Sequence, residues 1–147
     1  MSKGFWPGGV GLITGNSKST VKTNVLNDLM DWANRGYKNG ATYNGGTGEL
    51  KLFGKPFLVV GASDETSYKK IKGSTVGLWL ADEATLYPES FWDMAVSRLS
   101  LPMSRCYATT NPDNPYHYLK TKWLDNDKKL ASGDVWSETF TLDDNPN

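Results

Sequence analysis

The feature that most constrains the fold is an apolar stretch, Val76 to Ala81, that runs directly into two acids, Asp82 and Glu83. A short run of large apolar residues after a glycine is typical of a strand that is buried on both faces. Ligands of open α/β sheets bind beyond the carboxyl ends of such strands. One acid there can hold a hydrated Mg²⁺ while the other orients or deprotonates a water. The structural alternative is the acidic start of a helix after a core strand, which is common.

Composition limits the classes of protein to which the chain can belong. Its 147 residues suffice for one domain, and 16 basic and 16 acidic residues give a net charge that neither favours nor excludes a nucleic-acid partner. Cys106 is the only cysteine and His117 the only histidine, which excludes an internal disulfide and argues against Cys-based or His-rich metal sites. Both are interpreted as structural. No apolar stretch is as long as a membrane span, so we expect an intracellular protein.

Apolar periodicity divides the rest of the chain into alternating strands and helices. We predict strands at 10–15, 49–54, 57–61, 76–81, 105–110 and 135–142, and helices at 17–34, 63–72, 89–99 and 116–124. Residues 1–9, 36–48 and 125–129 are rich in glycine or polar residues and are predicted to be irregular or turns. Strands that alternate with helices indicate an α/β fold with a mostly parallel sheet, and we expect one domain over residues 1–147.

A second polar cluster, Thr109, Thr110 and Asn111, lies at the end of a predicted strand. Thr109 follows Glu83 by 26 residues, which is about the length of one helical crossover. If the two strands are neighbours, these side chains reach the same crevice as Asp82, where they can contact a phosphate or position a water. A capped turn before the next helix is the structural alternative.

A nucleotide site also needs a phosphate-binding loop, which is a glycine-rich turn with Lys and Ser or Thr before a helix. The one candidate is the stretch from Gly11 to Thr20, which contains the pair Lys18 and Ser19. Ser17 stands where the pattern requires glycine, and Leu12 occupies the position of its first glycine. We therefore interpret this stretch as a strand, a turn and a capped helix.

Three motifs together resemble a known family. They are the stretch 73–85 with Asp82, Glu83 and Ala84 near its end, Pro88-Glu89 before a helix that ends at 97–99, and the run 108–112 followed by 115–119. In this order and spacing they closely resemble the large terminase subunit of tailed phages, from about residue 10 to the end. The stretch 14–26 is similar to the strand and helix that follow the family's phosphate-binding loop, or Walker A motif.

The resemblance implies a RecA-like, P-loop NTPase-type sheet that is incomplete, because the strand of the phosphate-binding loop would lie upstream of Met1. For the same reason we expect an unpaired sheet edge beside Val10–Ile13. The chain is expected to be a partial ATPase domain that ends before the family's nuclease domain. It is also expected to hydrolyse ATP little or not at all by itself.

The resemblance also implies roles for individual residues. Asp82 would be the Walker B acid that binds Mg²⁺, and Glu83 the base that activates water. Residues 109–111 would form the motif that couples hydrolysis to DNA movement. Lys72 is a weak candidate for a trans-acting finger toward a neighbouring subunit, and a solvated helix end is the alternative. ATP and Mg²⁺ are the implied cofactors, and we do not expect this chain to bind them tightly.

For the whole motor, the resemblance implies DNA packaging in the cytoplasm of the bacterial host by a ring oligomer, without a membrane. Double-stranded DNA, the portal protein and the small terminase subunit are the implied partners. One cluster of basic and aromatic residues near the end of the chain can contact DNA or can form only a helix face and a solvated turn. It consists of Lys120, Lys122, Lys128, Lys129, Tyr116, Tyr118 and Trp123. Two other functions stay open: a helicase-type NTPase, and a non-catalytic α/β remnant or interaction module of a degraded prophage.

Overall fold

The computed structural model describes residues 8–63 and 65–144, without the side chains of residues 65, 66 and 142. Most of the irregular segment predicted at 1–9 lies outside these residues. The chain divides into two compact units, one up to Asn111 and one from Pro112 onward. Among the described residues, no helix is both long enough and apolar enough to cross a membrane.

Six strands form the sheet of the first unit: β1 (Val10–Gly15), β2 (Ala41–Asn44), β3 (Glu49–Leu52), β4 (Lys55–Gly61), β5 (Val76–Ala81) and β6 (Arg105–Ala108). Their order in the sheet is β2-β3-β4-β1-β5-β6. β4, β1, β5 and β6 are parallel to one another, whereas β3 pairs antiparallel with both β2 and β4. The predicted α/β class with a mostly parallel sheet is confirmed.

The position of β1 corrects one expectation. β1 lies inside the sheet, where it pairs in parallel with β4 on one side and with β5 on the other. The expectation of an unpaired edge beside Val10–Ile13 was therefore wrong. The β2–β3 hairpin leads into β4, which runs parallel to β1 and pairs with it. Within the described part of the chain, β6 is an outer strand and pairs with β5 alone.

Helices cover both faces of this sheet: α1 (Lys18–Val21), a π-helical turn (Lys22–Leu26) and α2 (Asn27–Gly36) run without a break, and α3 (Glu65–Lys72) and α4 (Glu89–Ser97) follow. The first of these segments packs on Ile13 of β1. Trp79 of β5 pairs in register with Leu12, so it faces away from Ile13. There it contacts Trp92 of α4 with ring centroids 4.8 Å apart.

Three local predictions differ from the structure. Residues 36–48 contain β2, because the glycine-rich turn after Asn44 closes a hairpin. The turn predicted at 125–129 is replaced by α5 (Asp127–Ser132), which begins at an Asn126 cap. The strand predicted at 135–142 was wrong, since residues 135–141 have no regular structure. Alternation makes a strand only where a neighbour accepts its main-chain hydrogen bonds, and no described strand pairs with this segment.

Gly61, at the end of β4, has no room for a side chain. A Cβ there would lie 2.8 Å from the Cα of Ser17 and 2.9 Å from the backbone nitrogen of Lys18. Gly61→Ala should therefore lower the free energy of unfolding by about 1–3 kcal/mol, because backbone atoms must shift to remove the overlap. Urea denaturation measures this change.

The matched control is Gly36→Ala at the end of α2, where a Cβ would meet nothing within 4 Å. This substitution should be neutral or should stabilise the chain by up to about 1 kcal/mol, because alanine favours the helix. Equal effects of the two substitutions would contradict the close approach of β4 to the start of α1.

Candidate functional site

The acid pair lies where β5 ends. Asp82 and Glu83 are both half-buried, and the Asp82 amide donates to the carbonyl of Thr14 in β1 at 2.9 Å. Glu83 has φ 55° and ψ 49°, a left-handed conformation that is uncommon for a residue with a side chain. Strain of this kind persists only where surrounding contacts enforce it, and such residues cluster at functional sites.

Thr109 enforces this turn from the neighbouring strand. Its amide donates to the Ala81 carbonyl, and its carbonyl accepts from the Ala84 amide, both at 2.9 Å. Its hydroxyl accepts from the Glu83 amide at 3.2 Å and donates to Asp82 Oδ1 at 2.9 Å. One residue thus holds the main chain on both sides of the acid pair and one oxygen of its first carboxylate.

The second oxygen of Asp82 is held from the helical layer. Asn24 lies on the π-helical turn, and its side-chain amide donates to Asp82 Oδ2 at 3.3 Å. Both donors to the carboxylate, Asn24 and Thr109, are uncharged. The carboxylate is therefore oriented without being neutralised.

Beneath the acid pair, a buried chain of hydrogen bonds holds the main chain of Asp82. Trp79 Nε1 donates to Thr14 Oγ1 at 2.8 Å, Thr14 Oγ1 lies 2.9 Å from Tyr87 Oη, and Tyr87 Oη donates to the Asp82 carbonyl at 2.8 Å. Because a carbonyl only accepts, the Tyr87 proton points to Asp82 and the Thr14 hydroxyl must donate to Tyr87. Each hydroxyl then donates once and accepts once, so the chain is fully satisfied.

Burial keeps two nearby groups protonated. Tyr87 is only 3% exposed, and burial raises the pKa of its phenol well above 10.0, an effect that the Thr14 hydrogen bond opposes and the Asp82 charge reinforces. Burial also raises the pKa of the Cys106 thiol to about 12. Neither group is ionised at neutral pH, which supports the structural interpretation of Cys106.

Three of the predicted site residues, Lys72, Thr110 and Asn111, form no hydrogen bond or ion pair with the acid pair in the described part of the chain. Thr110 Oγ1 donates to the carbonyl of its neighbour Asn111 at 3.3 Å, and both residues are exposed. Lys72 ends α3 just before β5 begins, whereas Asp82 follows the other end of β5. A strand of this length spans roughly 17–20 Å, so Lys72 cannot reach Asp82 within one chain.

The stretch from Gly11 to Thr20 forms a strand and a capped helix, as its sequence indicated. The Ser17 side chain accepts from the Thr20 amide at 3.2 Å, and the Ser17 amide donates to Thr20 Oγ1 at 2.9 Å. Lys18 Nζ donates to the carbonyl of Gly45 in the β2–β3 turn at 3.3 Å. These contacts use groups that a phosphate-binding loop would offer to its ligand.

The donor set after β5 fits a magnesium ion that is held through one carboxylate. Mg²⁺ in phosphate-transfer sites keeps several waters and takes one or two carboxylates together with substrate phosphates. The Asp82 carboxylate has lone pairs left after its bonds to Asn24 and Thr109. In the part of the chain that the structure describes, no three His, Cys, Asp or Glu side chains converge on one point. The Asp82 carboxylate would therefore hold the ion only together with waters and phosphates.

Comparison with known proteins places the chain in a family. A family model described as phage terminase large subunit matches residues 41–147. The chain belongs to this terminase family. The large terminase of a thermophilic bacteriophage is similar in structure, with a TM-score of 0.79 and 29% identity over 92% of this chain and 34% of that chain. No curated protein sequence matches the chain.

Structures of the thermophilic phage terminase with bound nucleotide are also similar to this terminase chain. The complex with ADP has a TM-score of 0.76 and 27% identity over 92% of this chain and 33% of that chain. The complex with ATP-gamma-S has a TM-score of 0.74 and 26% identity over 93% of this chain and 32% of that chain. The chain thus spans about a third of the length of the thermophilic phage terminase.

Three residues that build the site of this terminase chain were not predicted: Thr14, Asn24 and Tyr87. A polar residue inside an apolar strand was a usable signal for Thr14, because a buried hydroxyl needs a partner. Asn24 and Tyr87 left no such signal, since Asn24 bonds Asp82 across 58 positions and Tyr87 bonds Thr14 across 73 positions of the chain.

Tyr87→Phe would remove the phenolic hydroxyl from the buried chain and leave Thr14 and the Asp82 carbonyl without this partner. The free energy of unfolding should fall by about 1–3 kcal/mol. Tyr116→Phe is the matched control, since Tyr116 is 86% exposed, and it should change stability by less than about 0.5 kcal/mol. Urea denaturation measures both, and similar losses in the two variants would contradict the proposed bonding.

The same variants have a defined pH dependence. Because the pKa of Tyr87 in the folded chain lies above 10.0, the unfolded chain loses this proton first as the pH rises. The stabilisation due to the hydroxyl should be complete at lower pH and should shrink once the pH rises above 10.0. The stability difference between the wild type and Tyr87→Phe should therefore narrow in alkaline solution; a widening difference would be inconsistent with a buried neutral phenol.

Proposed function

We propose that this chain supplies the magnesium-binding and water-activating half of the ATPase site of a phage DNA-packaging motor. The observation that carries the proposal is the hydrogen bond of 2.9 Å from Thr109 Oγ1 to Asp82 Oδ1. It joins the acid pair after β5 to the polar motif after β6, across two adjacent parallel strands. Ligands of α/β sheets bind at this end of the strands, and membership in the terminase family supports the same function.

In the proposed site, Asp82 is the Walker B acid and Glu83 is the general base. Asp82 would bind Mg²⁺, which neutralises charge on the phosphates when it is bound. Glu83 would orient and deprotonate the attacking water, for which a base must stand within hydrogen-bond reach. The left-handed backbone of Glu83, bonded to Thr109, determines where this carboxylate stands relative to Asp82.

Thr109 is proposed to couple the acid pair to the segment after β6. It bonds the Asp82 carboxylate through its hydroxyl and the Ala84 amide through its carbonyl, so a shift of the acid pair displaces the end of β6. Thr110 and Asn111 follow on this segment and are exposed, which leaves them available to other parts of a motor. Lys72 stays only a candidate for a trans-acting finger.

In the proposed site, the phosphate-binding half lies beside β6. Tyr107 of β6 is 60% exposed, and the described residues pair this strand with β5 alone. A groove of about 210 Å³ lies next to this edge and is lined by Ile13, Val25, Leu80, Ala81, Asp82, Tyr107, Ala108 and Thr109. An outer parallel strand beside an apolar groove can accept a further strand and its helix.

The properties of the whole motor belong to the same proposal. ATP and Mg²⁺ would be the cofactors, and double-stranded DNA, the portal protein and the small terminase subunit would be the partners of a ring assembly in the host cytoplasm. The thermophilic phage terminase structures with ADP and with ATP-gamma-S support the nucleotide as a ligand of relatives.

The basic and aromatic cluster of the second unit is left out of this proposal. Lys120 Nζ lies 2.6 Å from Asp125 Oδ2, and Lys129 Nζ lies 3.5 Å over the ring of Trp123. These contacts within the unit favour the interpretation of a helix face over a DNA contact.

Mn²⁺ is a paramagnetic substitute for Mg²⁺ that tests the metal site. Millimolar Mn²⁺ should broaden the amide resonances of Asp82, Glu83 and Thr109 before others in the ¹⁵N-labelled chain, because the Asp82 carboxylate is the proposed ligand. Asp82→Asn should abolish this selectivity, and Asp93→Asn, which changes an exposed acid of α4, should preserve it. Absence of any selective broadening would favour a non-catalytic interaction module.

The chain by itself should release phosphate from ATP no faster than the buffer does, even in excess Mg²⁺. The reason is that Ser17 and Thr20, in its one loop-like stretch, bond each other as the cap of α1. Glu83→Gln should leave this baseline unchanged in a phosphate-release assay. Turnover at ordinary ATPase rates that Glu83→Gln abolishes would show that no phosphate-binding loop from outside the chain is required.

A further inference from the structure

The helical segment after β1 contains a π-helical turn that carries a side chain to the acid pair. In the turn Lys22–Leu26, the Asn27 amide donates to the Lys22 carbonyl, five positions earlier. Such turns are rare, and they occur frequently at functional sites. Asn24 lies in the middle of the turn and donates to Asp82 Oδ2 at 3.3 Å, across 58 positions of the chain.

We propose that Asn24 is a positioning residue that orients the Asp82 carboxylate for a divalent cation, an inference that rests on the proposed function of this site. Asn24 acts on one carboxylate oxygen and Thr109 on the other. Two donors on opposite oxygens restrict rotation of the carboxylate group about its bond to Cβ. Roughly half of its four lone-pair directions then stay available in a defined orientation.

The chemistry of an amide suits this position better than that of a charged or an apolar side chain. A lysine there would place a positive charge beside Asp82 and compete with a cation, whereas an apolar residue would leave Thr109 as the one side chain, among the described residues, that orients the carboxylate. The amide of Asn24 donates without carrying charge, so the negative charge of Asp82 is preserved for the cation. Partners that orient a metal-binding group in this way contribute to metal affinity in other proteins.

The contact is separable from the packing of the helical segment. Asn24 is exposed, while the neighbouring Val25 and Leu26 belong to the apolar cluster that holds this segment on the sheet. Loss of the Asn24 amide should therefore change the acid pair and leave the fold intact. This separation makes substitution at position 24 informative.

The test compares Asn24→Ala with Asn27→Ala in the complete chain. Both positions are exposed asparagines of the same helical segment, so the two variants share any gain in helix propensity. Mn²⁺ affinity is measured from the selective broadening of the Asp82 and Glu83 amide resonances, and circular dichroism confirms the fold. Asn24→Ala should weaken the affinity by about three- to tenfold, below the larger effects seen at enclosed metal sites because this contact is exposed. Asn27→Ala should not weaken it.

A second measurement needs no metal. In the absence of Mn²⁺, Asp82→Asn should shift the side-chain NH₂ resonances of Asn24, whereas Asp93→Asn should leave them in place. Unshifted resonances in Asp82→Asn, or equal Mn²⁺ affinities in Asn24→Ala and Asn27→Ala, would overturn the role of Asn24 alone. A wild-type chain in which Mn²⁺ perturbs none of Asp82, Glu83 and Thr109 would overturn the metal site and this role together.

Discussion

The site depends on a hydroxyl that is buried in the central strand of the sheet. Thr14 is completely buried, and a hydroxyl in that position destabilises the fold unless it is hydrogen-bonded. Its partners are Trp79 of the adjacent strand and Tyr87 of the turn that follows the acid pair. Tyr87 in turn donates to the Asp82 carbonyl. The same tyrosine hydroxyl therefore provides a hydrogen-bond partner for Thr14 and fixes the main chain of Asp82. The main chain of the acid pair is therefore anchored to the buried core of the sheet.

Side chains from two different parts of the fold bond the Asp82 carboxylate. Thr109 reaches Asp82 from the next parallel strand, and Asn24 reaches it from a π-helical turn. The same Thr109 holds Glu83 in a left-handed conformation that would otherwise relax. Tyr87 holds the main chain of Asp82, and Asn24 and Thr109 hold its two carboxylate oxygens. The position of this carboxylate is therefore fixed without a ligand. Preorganisation of this kind supports the proposed role of the acid pair in catalysis.

The strand order also bears on the proposed division of a nucleotide site between this chain and the rest of a terminase. β1 lies between β4 and β5. The Ser17 side chain after β1 accepts the Thr20 amide and caps α1. Among the described residues, β6 is the outer strand on the side of the acid pair that faces away from β1. An apolar groove lies beside it. The chain spans about a third of the length of the thermophilic phage terminase, and its acid pair lies next to this outer strand. Family membership and this geometry are both consistent with the proposed function.

Local chemistry in the sequence was enough to predict the α/β class, the acid pair at a strand end, the polar cluster at Thr109, the capped helix after β1 and the terminase family. Each of these is a property of neighbouring residues, such as apolar periodicity, capping groups and a motif. The order of the strands, the contact of Asn24, the bonding of Thr14 with Tyr87 and the left-handed Glu83 were decided only in the tertiary structure. The irregular segment at 135–141, predicted to be a strand, shows the same limit. Strand pairing and long-range hydrogen bonds join residues that lie many positions apart in the chain. Whether such a bond forms depends on where its partner lies in the fold, and the periodicity of the sequence does not encode that position.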